Sequence, residues 1–495
     1  MSLIPRRFTV GRLLFYATAT FLAFLFFRAG LQPLPQPQQP TSNSNERLVE
    51  PETPLLANHP VLTPEARSLR RRIDEKYCGT SPCRFLLPVA ITEQGICWTL
   101  ESKAQLHFRH LAFVSGTLHR TVVLPNVFGS HLGVCRHHPF TYYYSLSWLD
   151  ANSHRFSYIT LDRFRDWLNE RNVTGARPTH REHYIQANNA WTFLSKEKNC
   201  FKDLLNNAGL VEPKRSELAD PLPSKRRLNM TQALVNMLSD GKMDEVDEKP
   251  WEVVSLYYDR RFGFIEDPAA DVPLTYATHW TTTAAKLASQ LTPFVAIHWR
   301  MERVEEQQNL LPCAETLVRY LRAHILSPES TAVQSPNIFL LTDYPHLLNA
   351  STGTESMSFK GAELTLNHHA AINYLHANLN LTLTVLANPK KPIPYDKLPA
   401  KNWNLVPVSP NVRPVDPSVL GIVDKLIAMK AQWFLAGRPV ECAKESSFTL
   451  RIIKERTARW KKVGVAEDER GDMKNAWELF GVADVDHDGG KEYVI

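Results

Sequence analysis

The sequence predicts an α/β protein of two Rossmann-like halves facing a cleft. Three observations carry this reading. Short β-rich apolar runs alternate with helix-periodic segments on both sides of a polar, charged stretch at 213–249. At 495 residues the chain is longer than one ordinary core organises. A polar strand end, His298-Trp299-Arg300-Met301-Glu302, follows the apolar run 294–297. In open α/β sheets that is where ligands sit, beyond the carboxyl ends of strands.

The expected order is a cytoplasmic tail and signal anchor (1–28), a stem (29–66), a first Rossmann-like domain (67–248), a second (249–465) and a polar tail (466–495). Arg6, Arg7 and Arg12 precede an uncharged run at 13–27, closed by Arg28. About fifteen residues is short for a span of ~20, but a tilted or snorkelling anchor manages it. Positive charge ahead of the span keeps the N-terminus cytoplasmic and sends the remainder into the lumen, a type II membrane topology in the Golgi or endoplasmic reticulum. A cleaved signal peptide competes with this reading, although Arg28-Ala29-Gly30 makes a poor cleavage site. The following Pro-Leu-Pro-Gln-Pro-Gln-Gln-Pro stretch, from residue 33, cannot bury a core and reads as a tether.

A hydrophobic fraction of 43% and an aromatic fraction of 10% fit a globular chain. A net charge of +6, with no basic stripe, argues against nucleic acid as a partner. The seven cysteines are Cys78, Cys83, Cys97, Cys135, Cys200, Cys313 and Cys442. Cys78 is close enough in sequence to pair with Cys83 or Cys135, and the connectivity is open. None of the spacings makes a zinc site. Four sequons, at Asn172, Asn229, Asn349 and Asn380, agree with a secretory lumen.

In order, the first half reads as a short charged helix at 67–77, a strand at 85–90, a helix at 101–118, a strand at 121–125 and a helix at 161–171. Strand, helix, strand is a βαβ unit, the start of a parallel sheet. The second half opens at 251–264 and alternates: helix 281–290, strand 294–297, helix 314–325, strand 337–342, helix 368–375, strand 381–386. An amphipathic helix is expected over 419–437, with Gly437 as its stop. Ser446-Ser447-Phe448-Thr449 then caps a helix reaching about residue 462.

Three ends in the second half could converge. Arg300 can fork onto a phosphate or carboxylate with two parallel charge-assisted bonds, unless a neighbour such as Glu302 claims it. Asp343 closes another strand, where a turn former is equally at home. The hydroxyls of Ser446, Ser447 and Thr449 sit at a helix start whose free N–H groups favour an anion; alone they are an ordinary cap. Together they outline a diphosphate site. Asp484-x-Asp486-x-Asp488-Gly489 matches half of a calcium loop, but Ile495 stands where the bidentate Glu belongs, so it reads as solvated tail. No metal site is expected.

These residues resemble the GDP-fucose protein O-fucosyltransferases. The resemblance rests on His298-x-Arg300, Leu341-Thr342-Asp343 and the ordered set Asp424, Phe434, Ser446-Ser447-Phe448-Thr449. The first half adds Cys83-Arg84-Phe85-Leu86-Leu87-Pro88, Glu101-Ser102-Lys103-Ala104-Gln105 and His119-Arg120-Thr121-Val122-Val123-Leu124-Pro125-Asn126. His-Trp-Arg-Met-Glu is most similar to the fungal O-fucosyltransferase-like branch, and the likeness spans roughly 77–462. It implies a GT-B fold, GDP-fucose as donor, no cofactor or metal, and inverting transfer to a Ser or Thr hydroxyl of a protein. It casts Arg300 as the diphosphate-holding catalytic residue. His298, Asp343, Asp424, Ser446, Ser447, Phe448 and Lys103 become donor-binding residues. Glu93 is the expected base, with Glu101 as the other possibility; a surface loop position explains Glu93 as well. Residues 95–100 interrupt the family pattern, as a real loop or a gene-model artefact, and bear on Glu93, Glu101 and Lys103. The rival readings are another nucleotide sugar, a non-catalytic lectin-like protein on the same fold, and a scaffold without ligand.

Overall fold

The computed structural model describes residues 63–92, 101–174, 178–185, 214–218, 235–236, 251–259, 265, 267–302, 304–326, 335–344, 364–387, 403–410, 412–461 and 473–487. The chain divides into two compact units, Met1–Val61 and Leu62–Ile495. The expected anchor at 13–27 and most of the stem lie outside the described residues. Among the described residues no helix is long and apolar enough to cross a membrane.

Within Leu62–Ile495 the protein is mixed α/β with two mainly parallel sheets. Helix α1 (Pro64–Cys78) starts at Thr63, whose hydroxyl accepts from Ala66 N, and stops at Gly79 with φ 72°. Only a residue without Cβ adopts that left-handed turn cheaply. Strand β1 (Phe85–Thr92), helix α2 (Glu101–Thr117) and strand β2 (Thr121–Leu124) form the expected βαβ unit, with β1 parallel to β2. Strands β3 (Asn126–Phe128), β4 (His131–Gly133), β5 (Tyr158–Thr160), β6 (His180–Ile185), β7 (Lys214–Leu218) and β8 (Val253–Asp259) complete the first sheet, with helix α3 (Leu161–Val173) beside it. The order is β3-β4-β1-β8-β6-β7, with β2 on β1 and β5 on β2. Strand β8 corrects the expected opening of the second half at 251–264: it runs parallel to both β1 and β6, so the first sheet takes its central strand from beyond residue 249.

The second sheet has the order β12-β11-β10-β9-β13-β14-β15. Its strands are β9 (Phe294–Trp299), β10 (Asn337–Thr342), β11 (Leu381–Leu386), β12 (Trp403–Val408), β13 (Trp433–Gly437), β14 (Glu478–Phe480) and β15 (Val485–His487). All pair in parallel except β15, which folds back on β14. Helices α4 (Thr278–Leu291), α5 (Leu310–Tyr320), α6 (Leu366–Asn378), α7 (Val419–Ala428) and α8 (Ser447–Trp460) surround it.

Two expectations fail here. The helix expected over 419–437 ends at Ala428, and 433–437 is strand β13 beside β9. Gly437 therefore stops no helix. It sits where an added Cβ would come within 2.7 Å of Ala443 Cβ and 3.2 Å of Trp299. The polar tail also folds in part: β14 and β15 extend the sheet, and Arg438 pairs with Asp484 at 2.7 Å and Asp486 at 3.0 Å. Those two carboxylates are anion partners of a guanidinium, not half of a calcium loop.

The core explains why the two sheets form one body. One apolar cluster runs from Leu86, Phe108 and Leu111 through Tyr276 and Trp280 to Phe294, Phe339 and Ile422, so it is shared by both sheets. Separate clusters cover the outer faces, around Phe85 and Trp167 on the first sheet and around Trp299 and Leu317 on the second. Each fully buried side chain of this kind contributes roughly 1.5–3 kcal/mol.

Candidate active site

Strand alternation builds the site. On one face of β9 and its extension lie His298 and Arg300; Trp299 points to the other. Trp299 is fully buried and donates its indole N–H to Cys442 O at 2.7 Å. The Cys313–Cys442 disulfide ties α5 to the same carbonyl-bearing residue, just upstream of the α8 cap. The strand end and the helix start are thereby fastened from behind.

On the front, Arg300 Nη1 donates to Glu445 O at 3.3 Å, and Lys444 N donates to Arg300 O at 3.0 Å. Arg300 thus lies beside Ser446, the N-cap of α8, whose buried hydroxyl accepts from Phe448 N at 3.2 Å and Thr449 N at 3.5 Å. A cap of this kind stabilises a helix by about 1 kcal/mol and leaves the other first-turn N–H groups facing outward. Ser447 presents a buried hydroxyl with no hydrogen-bond partner among the described residues. A guanidinium and a helix N-terminus therefore flank one space, the arrangement that binds phosphate or carboxylate. The competing expectation also holds: Arg300 Nη2 is hydrogen-bonded to Glu302, and Lys444 Nζ stands 4.0 Å from that carboxylate.

His298 is buried, its Nδ1 2.7 Å from Thr449 Oγ1 and its ring stacked on Phe448 at 4.8 Å between centroids. Burial, then the charges of Arg300 and Lys425, push the imidazole down to about 3, so it is neutral near pH 7. Lys425 covers the Phe448 ring at 5.1 Å.

Asp343 takes a different position from that of a ligand-facing carboxylate. It is buried and accepts Met301 N at 2.8 Å and Glu302 N at 3.0 Å, so it fixes the backbone that carries Arg300. Burial pushes it up to about 6. His368 holds the same loop from the other side. Thr365 N donates to His368 Nδ1 at 3.2 Å, which leaves Nε2 to donate to Met301 O at 3.1 Å. Asp424, on α7, accepts a hydrogen bond from Thr384 Oγ1 of β11. Desolvation pushes it up to about 7, a value poised to change charge at neutral pH.

Glu93 lies outside the described residues, as does the side chain of Lys103. Glu101 is buried and fully engaged. It accepts from Tyr144 at 2.6 Å, Lys425 at 2.7 Å, Gln105 at 2.9 Å and Tyr276 at 3.0 Å. Burial alone would raise its pKa, but the Lys425 ammonium and these bonds outweigh it and hold it below the ordinary value. Glu101 is a structural ion-pair partner, not a free base. Three residues escaped the sequence reading: Thr384, Lys425 and His368. Each acts through a partner distant in sequence or on another element, and nothing in its local pattern signals that. Among the described residues no three His, Cys, Asp or Glu side chains gather as a metal site requires.

No protein-family model matches the sequence, and no curated protein matches it. Among solved structures the chain is similar to POFUT1 in complex with GDP-fucose, at 15% identity over 81% of this chain and 99% of that one, with a TM-score of 0.43. It is similar to the NodZ α-1,6-fucosyltransferase co-crystallised with GDP, at 10% identity over 75% of this chain and 92% of that one, with a TM-score of 0.32. A third is the fucosyltransferase NodZ from Bradyrhizobium, at 12% identity over 61% of this chain and 89% of that one, with a TM-score of 0.25.

Proposed function

We propose that this protein is a glycosyltransferase that moves fucose from GDP-fucose to a Ser or Thr hydroxyl of a protein, with inversion and without a metal. The observation that carries the proposal is the Arg300–Glu445 contact beside the Ser446 cap, which lets one diphosphate meet a guanidinium and a helix N-terminus together. The choice of GDP and of fucose rests on the motif resemblance at His298-x-Arg300 and Ser446-Ser447-Phe448-Thr449.

In this reading the acceptor oxygen attacks the anomeric carbon from the side opposite the diphosphate. The bond from that carbon to the diphosphate oxygen breaks, and the diphosphate leaves with the electron pair. Arg300 and the first-turn N–H groups of α8 stabilise the charge that develops. The hydroxyl proton passes to a carboxylate, for which Glu93 remains our candidate. Neutral His298, with Phe448 and Lys425 behind it, forms a wall of the nucleotide site. Asp424 offers a carboxylate oxygen to ring N–H donors of the base.

The compartment follows from the same proposal: a secretory lumen, with 13–27 as membrane anchor. The Cys78–Cys83 and Cys313–Cys442 disulfides and the exposed sequon residues Asn172 and Asn380 support it.

The test uses the purified full-length chain and a panel of nucleoside diphosphates without added metal. GDP should raise the melting temperature, and hydrolysis or transfer from GDP-fucose should vanish in Arg300→Ala. A chain that ignores every nucleotide would return the scaffold reading. GDP binding without turnover would return the lectin-like one, which the Arg300–Glu302 pairing favours.

A further inference from the structure

Helix α8 packs against α2, and two guanidinium groups are buried in that junction. Arg109, on α2, is 4% exposed. It donates through Nη1 to Asp271 O at 3.2 Å, and its Nε is buried with no partner among the described residues. Arg451, on α8, has a side chain 12% exposed and reaches Glu455 through Nη2 at 2.9 Å. Its Nε and its Nη1 are both buried with no partner among the described residues.

The charge balance at the junction is positive. Arg109 is pushed down to about 10, first by burial and then by the charge of Arg451. Lys425 also lies in the field of Arg451. The buried carboxylate nearby, Glu101, is engaged by Lys425. Glu455 is 43% exposed, and Asp271 is 72% exposed; Arg109 donates to the main chain of Asp271, and the charges of Asp271 and Glu101 offset only part of the effect of burial and of Arg451. Two like charges taken out of water, with donors left over, carry a large desolvation penalty. A lone unpartnered Nε is not unusual among the described residues, since Arg171 has one although its guanidinium is ion-paired; Arg451 differs in leaving both Nε and Nη1 over beside a second guanidinium, which a bound anion would satisfy. Water could accept from these N–H groups but would cancel no charge.

We propose that Arg109 and Arg451 hold one small inorganic anion, chloride or phosphate, as a structural counter-ion between α2 and α8. The anion joins the helix of the first βαβ unit to the helix whose N-terminus carries the candidate site. It does not depend on the fucosyltransferase proposal, and a response that survives in Arg300→Ala tells it apart from an anion in the Arg300 space.

The test is thermal melting of the purified full-length chain at constant ionic strength, with gluconate replaced stepwise by chloride in one arm and by phosphate in another. The dialysed protein is also denatured, and its retained anions are read by ion chromatography. The expected result is either a single anion retained per chain or a saturable rise in melting temperature on the order of 2 °C in one arm. The response should persist in Arg300→Ala and disappear in Arg451→Gln. In gluconate, Arg451→Met should melt no lower than the wild type, because it removes a like charge beside buried Arg109 at the loss of only a part-exposed pair with Glu455. If Arg451→Gln fails to fold, Arg109→Gln reads the same loss. Neither retention nor a rise, or an equal rise in both glutamine variants and the wild type, would overturn the proposal.

Discussion

Arg300 and Glu445 are joined by a hydrogen bond of 3.3 Å from Nη1 to the main-chain carbonyl, across 145 residues of sequence. The contact sets the guanidinium one residue ahead of the Ser446 cap. The return bond from Lys444 N to Arg300 O, at 3.0 Å, makes the approach two-sided. Two remote segments therefore present their positive ends to one space.

Replacing Arg300 tests that geometry. Arg300→Ala should lower GDP affinity about 30- to 100-fold, or about 2–2.7 kcal/mol, and abolish turnover. Arg300→Lys should not rescue it, because the three tetrahedral donors of an ammonium centre on one atom and lack the planar fork that spans two phosphate oxygens while Nη1 stays on the Glu445 carbonyl. Calorimetry with GDP and steady-state rates give both numbers. Wild-type affinity in Arg300→Lys would remove the planar fork from the account.

Asp424 gives opposite pH signatures for stability and for binding. Its folded pKa, about 7, lies above the ordinary value of 3.8, so the native state holds the proton more tightly than the unfolded chain. That stability is fully present below about 4 and is lost as pH rises through about 7. A nucleobase N–H needs the ionised carboxylate, so GDP affinity should rise through the same window. In Asp424→Asn both trends should flatten. Melting curves and GDP titrations from pH 5.5 to 8.5 check it, and a parallel trend in the variant would assign the titration elsewhere.

The positions of the strands around the site were legible because they are local. Residues 337–342 and 381–386 are β10 and β11 to the residue, each a β-rich run bounded by polar turns. The Ser446 cap was legible because capping is written in the neighbouring residues. What failed was non-local. Nothing polar enough to end a helix separates Ala428 from Trp433, so apolar periodicity ran on into β13. Strand β12 contains Pro407 and carries no strand expectation; the proline is tolerated at the end of the sheet order, where β11 is the one neighbour of β12 among the described strands. The resemblance casts Asp343 as a donor-binding residue, with a turn former as the alternative; only the loop at Met301 and Glu302 reveals what it accepts.

Asp343→Asn tests that positioning role. The amide keeps one acceptor for two backbone N–H groups and turns an NH2 against the other. The cost should be about 1–3 kcal/mol in urea unfolding. Turnover should fall with little change in the KM for GDP-fucose at first order, because Arg300 shifts without being removed. His368→Gln, which retains a donor toward Met301 O, should be milder than His368→Leu. Equal effects of the two would mean that the loop does not depend on that bond.

Lys425 and Glu101 form the buried ion pair that joins α7 to the start of α2, 2.7 Å apart and 324 residues apart in sequence. Lys425 also donates to Ser102 Oγ at 2.8 Å and Tyr276 OH at 2.9 Å. Lys425→Met leaves the Glu101 carboxylate buried without a cation, with only Tyr144, Tyr276 and Gln105 to solvate it. Breaking such a pair from one side costs about 3–5 kcal/mol. The double variant Lys425→Met with Glu101→Gln removes both charges; the amide oxygen keeps the bonds from Tyr144 and Gln105, and its NH2 can donate to the Tyr276 hydroxyl oxygen in place of Lys425. Its stability should return to within about 1–2 kcal/mol of the wild type. Additive losses in the double-mutant cycle, measured by denaturant unfolding, would show that the two groups do not act as a pair. Because Lys425 also lies over the ring of Phe448, at 5.1 Å, the single variant should weaken GDP binding as well as folding. The double variant should recover stability without recovering that affinity, since only the charge over the ring distinguishes the two readouts.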